Sequence, residues 1–166
     1  MKYYAGIGSR QTPEKLRGLI KNIVEKLEAK DYILRSGGAD GADSYFEEFA
    51  TKKEIYLPWK GFNSNPSELF VITEEGREMA KKYHPRWEIL SNAAKRLMAR
   101  NCYQVLGLDL KTPSEFIICW TKEGKMRGGT SQAMRIANDL NIPIYNLAKE
   151  KDIQKLSIIV GETPIF

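Results

Sequence analysis

The sequence predicts an α/β domain, a mostly parallel five-stranded sheet with helices on both faces. Two patterns lead there. Strand-like and helix-like segments alternate along the chain, as they do where parallel strands are joined by helical crossovers. Three strand-to-helix junctions are also rich in glycine or hydroxyl residues, and such junctions lie at the carboxyl ends of strands, where open parallel sheets bind ligands. The length agrees. A chain of 166 residues is one domain's worth, enough to bury about 70% of the unfolded surface, and residues 1–166 are read as a single unit.

Each element has its own warrant. Lys2 to Ile7 reads as the first strand and runs into Gly6-Ile7-Gly8-Ser9-Arg10. Thr12-Pro13 then opens a helix, with Thr12 as N-cap and Pro13 in the first turn. Leu16, Leu19, Ile20, Ile23, Val24 and Leu27 recur at helical spacing and make one buried face. Tyr32 to Leu34 is a short second strand, followed by the loop Ser36 to Asp43. A second helix runs through Phe46 and Phe49. Glu54 to Leu57 is a third strand, closed by Pro58. Trp59 to Pro66 carries Gly61, Asn63, Asn65 and Pro66 and reads as a loop. Helices are predicted over Glu74 to Tyr83 and over Trp87 to Leu106, with His84-Pro85 between them in an exposed turn. Glu115 to Trp120 is a fourth strand, and Thr121 to Arg127 a polar loop. Gly128-Gly129-Thr130 opens a helix to about Leu140. Ile142 to Asn146 is a fifth strand, and Leu156 to Val160 reads as a short edge strand.

Composition narrows the function classes. Hydrophobic residues make up 42% and charged residues 28%, a globular balance and not a disordered one. No run approaches the length of a spanning helix, so no membrane association is expected. MKYYAGIGSR lacks the apolar stretch of a signal peptide. Cys102 and Cys119 have no CxxC spacing, so neither a disulfide framework nor a zinc site is expected, and a reducing cytoplasm fits. The net charge of +5 suits phosphate-bearing ligands, but the basic residues are spread along the chain as on an ordinary solvated surface.

The three junctions are the candidate site. Glycine lets the backbone approach a ligand, and the following helix N-terminus offers free N–H groups to phosphate. Gly8, Ser9, Arg10, Gly37, Gly38, Gly128, Gly129, Thr130 and Ser131 are therefore expected to cradle an anionic or nucleotide ligand. Arg10 offers a planar fork to a phosphate or carboxylate, and Thr130 either bonds phosphate or caps its helix. Ser36 opens the second loop. Asp40 and Asp43 would repel a phosphate, so Asp43 is read as a loop organiser, a ribose-hydroxyl partner or a cap. On the long helix, Leu90, Ala93, Ala94, Leu97 and Met98 form a stripe that continues into Asn101, with Gln104 at its edge. An amide on a core face must find hydrogen bonds, from a loop or from a ligand. Trp120, at the predicted rim, is the aromatic best placed to stack on a base. There is no Walker A motif and no GxSxG elbow, so neither a P-loop nor a histidine-dependent triad on His84 is expected.

Ala5-Gly6-Ile7-Gly8-Ser9-Arg10, the Gly41-Ala42-Asp43 that closes the second glycine loop, and Gly128-Gly129-Thr130 with Ala133 and Ala137 together resemble the SLOG superfamily of Rossmann-like nucleotide-binding proteins. They are most similar to its small stand-alone YpsA-like and DNA-processing-protein-A-like members, often encoded by phages. The resemblance spans residue 3 to about 147. It implies a Rossmann-like sheet in order 3-2-1-4-5, homo-oligomerisation through helices, and a nucleotide or nucleic-acid ligand over the three loops. Phosphoribohydrolases of the LOG type carry Pro-Gly-Gly-x-Gly-Thr-x-x-Glu, and Ala133 stands where that Glu would be. Hydrolysis would then need another carboxylate, with Asp40, Asp43 and Glu123 the candidates.

The reading taken from the sequence is a protein that binds a nucleotide or nucleotide-derived signalling molecule, as a sensor or sequestering protein without turnover. It names no catalytic residue, cofactor or metal. The alternatives are a nucleotide N-glycoside hydrolase and a single-stranded-DNA-binding recombination mediator.

Overall fold

Periodicity decides most of the architecture. In the computed structural model, which describes residues 1–161, five parallel strands lie in the order β3-β2-β1-β4-β5. They are β1 (Lys2–Gly8), β2 (Tyr32–Ser36), β3 (Lys53–Ile55), β4 (Ile117–Trp120) and β5 (Ile144–Asn146). Six α-helices cover them: α1 (Arg17–Ala29), α2 (Ala42–Phe49), α3 (Glu74–Tyr83), α4 (Asn92–Leu106), α5 (Thr130–Asp139) and α6 (Glu150–Ile159). This is a Rossmann-like arrangement, as expected.

The strands send alternate residues to two cores. Tyr4, Leu34 and Ile118 face one core, where Ile20, Ile23 and Leu27 of α1, Phe46 of α2 and Leu156 of α6 pack on them. Ala5, Ile7, Ile117 and Cys119 face the other, against Ala80 of α3, Ala99, Cys102 and Val105 of α4, and Ile136 of α5. Cys102 and Cys119 are both buried and free. No helix among the described residues is long and apolar enough to cross a membrane.

Polar ties set the second layer. The Tyr103 hydroxyl accepts a 2.7 Å hydrogen bond from the Thr73 N–H, and Thr73 caps α3 by accepting from the Gly76 N–H at 3.0 Å. Gln132 donates to the Ala80 carbonyl at 2.9 Å, joining α5 to α3. Asn146 donates to the Thr121 hydroxyl at 2.7 Å, which fixes the start of the loop after β4.

Four local expectations are corrected. Leu156 to Val160 is not an edge strand. Its residues belong to α6 and its C-cap, because Ile153, Leu156 and Val160 fall at helical spacing on the buried side while Ile158 is 78% exposed. The helix expected from Trp87 begins at Asn92, since Ser91 takes the N-cap and accepts from the Ala94 N–H at 3.1 Å; Trp87–Ile89 is a separate short 3-10 turn. Thr12 caps no helix. It is buried and donates to the Ser9 carbonyl at 2.6 Å, while a short turn at Glu14–Leu16 leads into α1. Tyr56 and Leu57 lie beyond β3, where Tyr56 bridges to Leu69.

Phe46 is fully buried and sits edge-on to Tyr4 at 6.5 Å between ring centroids. Phe46→Ala is expected to lower stability by roughly 3–5 kcal/mol, read as a drop in the urea midpoint with an unchanged slope.

Candidate functional site

The chain starts at β1, builds outward through β2 and β3, and returns to β4 on the other side of β1. At that reversal the loops after β1 and β4 diverge and leave a crevice above the carboxyl ends of the strands. It encloses about 630 Å³, within the usual range for a small-molecule site. Ile7 and Gly8 form the floor, Ser9, Arg10 and Gln11 one wall, and Lys122 and Arg127 to Thr130 the opposite wall. Leu97, Met98, Arg100, Asn101 and Gln104 of α4 close the back.

The first loop is fastened to α2. The Ser9 carbonyl accepts from the Thr12 N–H at 3.2 Å, the Thr12 hydroxyl at 2.6 Å and the Ala42 N–H at 3.3 Å. Gly41 makes this approach possible. Its φ is +79° and an added Cβ would sit 2.7 Å from the Arg10 Cα, so only glycine fits there.

Asp43, in the first turn of α2, is 4% exposed. Its carboxylate accepts from the Ala39 N–H at 3.3 Å and is further held by the N–H groups of Gly8 and Gly37. Burial pushes its pKa up from 3.8 to about 6, with Arg100 and those N–H groups pulling the other way. Of the readings left open for Asp43, loop organiser is the one its contacts describe.

From the back, α4 holds the other two loops. Arg100, 5% exposed, donates through Nη1 to the carbonyls of Gly37 and Tyr56, and through Nε to Asn101 Oδ1 at 3.0 Å. No carboxylate lies within ion-pair distance of it among the described residues. Burial lowers its pKa to about 10, with Asp43 opposing and Arg10 adding to the fall. Asn101 Nδ2 donates to the Gly129 carbonyl at 3.0 Å, so it ties down the third loop. A Cβ on Gly37 would overlap the Gln104 amide and the Arg100 guanidinium; the second loop needs glycine there to seat against α4.

The charges in the cleft are one-sided. Arg10, Lys122 and Arg127 are exposed at its mouth and Arg100 lies within, against the single lining carboxylate of Asp43. None of these four cations has an ion-pair partner among the described residues. Beside them lies the start of α5, where the Ser131 and Gln132 N–H groups already donate to the carbonyls of Gly128 and Gly129 at 3.2 Å.

Of the residues expected from sequence, Gly8, Ser9, Arg10, Asp43, Asn101, Gly128, Gly129 and Thr130 line one cleft. The others lie outside its lining. The Ser36 hydroxyl donates to the Gly6 carbonyl at 2.6 Å. Gly37 and Gly38 carry carbonyls that Arg100 and Asn63 engage. Asp40 is exposed and accepts from Asn63 at 2.9 Å. Ser131 donates to the Gly128 carbonyl at 2.6 Å. Trp120 packs on the core beneath α1 and α2, on the face of the sheet away from α4. Ala133 is fully buried, and Glu123 pairs with Lys125 at 2.8 Å outside the cleft. His84 is half-buried and not exposed; its Nδ1 accepts from the Arg86 N–H at 3.1 Å. Sequence reasoning missed Arg100, Gln11 and Lys122. Arg100 had a signal, because Leu97, Arg100, Asn101 and Gln104 are spaced as one helical face.

The fold and cleft define a Rossmann-like protein with a crevice at its topological reversal whose mouth carries Arg10, Lys122 and Arg127. Among solved structures, the chain is similar to DNA processing protein A from Helicobacter pylori, described for its single-stranded DNA binding mode. The TM-score is 0.58 at 19% sequence identity, covering 99% of this chain and 75% of that one. At that identity the likeness is one of fold. No protein-family model matches the chain, and no curated protein matches it.

The raised Asp43 pKa has a definite sign. The folded state holds this proton more tightly than the unfolded state, so the stabilisation is full below about pH 4 and is lost as pH rises to about 6. Asp43→Asn removes that dependence. Urea unfolding should show the variant gaining on the wild type by about 2–3 kcal/mol across this window, on top of any constant offset.

Proposed function

We propose that the cleft binds single-stranded DNA, with the backbone phosphates along the Arg10 and Gly128-Gly129-Thr130 walls and one nucleotide unit inside. One observation carries this reading: three exposed cationic side chains without ion-pair partners among the described residues, Arg10, Lys122 and Arg127, gather at the mouth of a cleft with a single, already engaged carboxylate. Phosphate contacts of this kind supply most of the affinity for a single strand. The likeness in fold to a protein described as binding single-stranded DNA supports the same choice. In this reading the chain is a SLOG-superfamily protein of the DNA-processing-protein-A-like group, on the motifs Gly8-Ser9-Arg10, Gly41-Ala42-Asp43 and Gly128-Gly129-Thr130. Homo-oligomerisation through helices belongs to the same proposal.

A second reading keeps a free nucleotide or nucleotide-derived signalling molecule as the ligand, held without turnover. The cleft volume of about 630 Å³ favours it. The hydrolase reading has less support. Asp43 is the one candidate carboxylate that lines the cleft, and it already accepts backbone N–H groups.

Fluorescence anisotropy with labelled single strands separates these readings. Binding should weaken steeply with salt, with a slope of about −0.7 per phosphate contacted. Arg10→Ala and Arg127→Ala should each weaken all sequences alike and reduce the slope by about one contact. If strands do not bind while a mononucleotide raises the melting temperature, the second reading takes its place. Release of free base from an added nucleotide would establish the hydrolase.

A further inference from the structure

We propose that the inner end of the cleft is a base-reading subsite, in which Gln104 and Arg100 select a nucleobase that carries a ring carbonyl. The proposal rests on the reading that the cleft holds a nucleotide unit, and it names what that unit's base must offer.

Gln104 is 2% exposed and lines the cleft, yet its side-chain amide makes no hydrogen bond among the described residues. Its neighbours on the same face are committed. Asn101 holds Gly129, and Arg100 uses Nε and Nη1 on Asn101, Gly37 and Tyr56. Two sets of groups are left over: the whole amide of Gln104, one donor side and one acceptor side, and Nη2 of Arg100, which only donates. The amide meets solvent only through the cleft, so a polar occupant there would take the place of water on both of its sides.

A phosphate does not match this set. It would satisfy the Gln104 N–H₂ and Arg100 but would set its oxygens against the Gln104 carbonyl and the nearby Asp43. A base edge does match, because it presents a donor beside an acceptor to the amide. The leftover Arg100 donor then calls for a further strong acceptor. Once the amide has taken a donor and the acceptor beside it, a ring carbonyl supplies that further acceptor, and guanine, cytosine, thymine and uracil carry one. Adenine does not. Ile7, Leu97 and Met98 supply apolar surface for the faces of the ring.

The test uses single strands of about 12 residues made of thymine, of adenine, and of abasic deoxyribose phosphate. The wild-type protein should bind the thymine strand at least tenfold tighter than the other two. Gln104→Leu and Gln104→Met should remove the preference for the thymine strand over the abasic one, and a far-ultraviolet circular dichroism spectrum like that of the wild type shows that the variants fold. Equal wild-type affinity for all three strands would overturn base reading and leave backbone binding intact. So would variants that keep the thymine preference. If the wild type binds none of the strands and no mononucleotide, both this subsite and the function it rests on fall.

Discussion

The side-by-side pair Arg100 and Asn101 on α4 is the contact on which the cleft depends. Arg100 donates to Asn101, to the Gly37 carbonyl of the second loop and to Tyr56 beyond β3. Asn101 donates to the Gly129 carbonyl of the third loop. One turn of helix thus sets the spacing between two loops that come from opposite sides of the sheet. The first loop joins them through Asp43, whose carboxylate is held by N–H groups of both the first and the second. Without these ties three glycine-bearing loops would be free to adopt many conformations, at a cost in entropy that any ligand would have to meet.

The arrangement also explains why a cation and a carboxylate are both kept buried. Neither forms a close ion pair with the other among the described residues. Each is held mainly by backbone groups, Arg100 Nη1 by carbonyls and Asp43 by N–H groups, with Arg100 Nη2 left over toward the cleft. Burial still disfavours both charged forms, lowering the pKa of Arg100 to about 10 and raising that of Asp43 to about 6. Charged side chains used this way act as rigid connectors for the chain, and the exposed Arg10, Lys122 and Arg127 are left to meet a ligand.

The fold was legible because its signals are periodic. The strands and the apolar face of α1 follow from spacing alone. The tail misled because Ile158, Ile159 and Val160 are β-branched, and only their burial pattern shows the helical turn. The loops of the site were legible because glycine marks places where a Cβ cannot go, as at Gly37 and Gly41. Arg100 shares a helical face with Leu97, Asn101 and Gln104, but that signal was outweighed because a charged residue in a helix ordinarily points to water. Trp120 was assigned to the rim by position along β4. Its parity with Phe116 and Ile118 puts it on the opposite face, and the choice between faces depends on which helices cover each one, which no local pattern states.

From Ala99 to Leu106 every residue of α4 is buried. This half of the helix therefore cannot fray on its own, and the loops it holds share the cooperativity of the core. Amide hydrogens along this stretch should exchange only through global opening. The back of the cleft is thus part of the core, while its side walls are exposed loops.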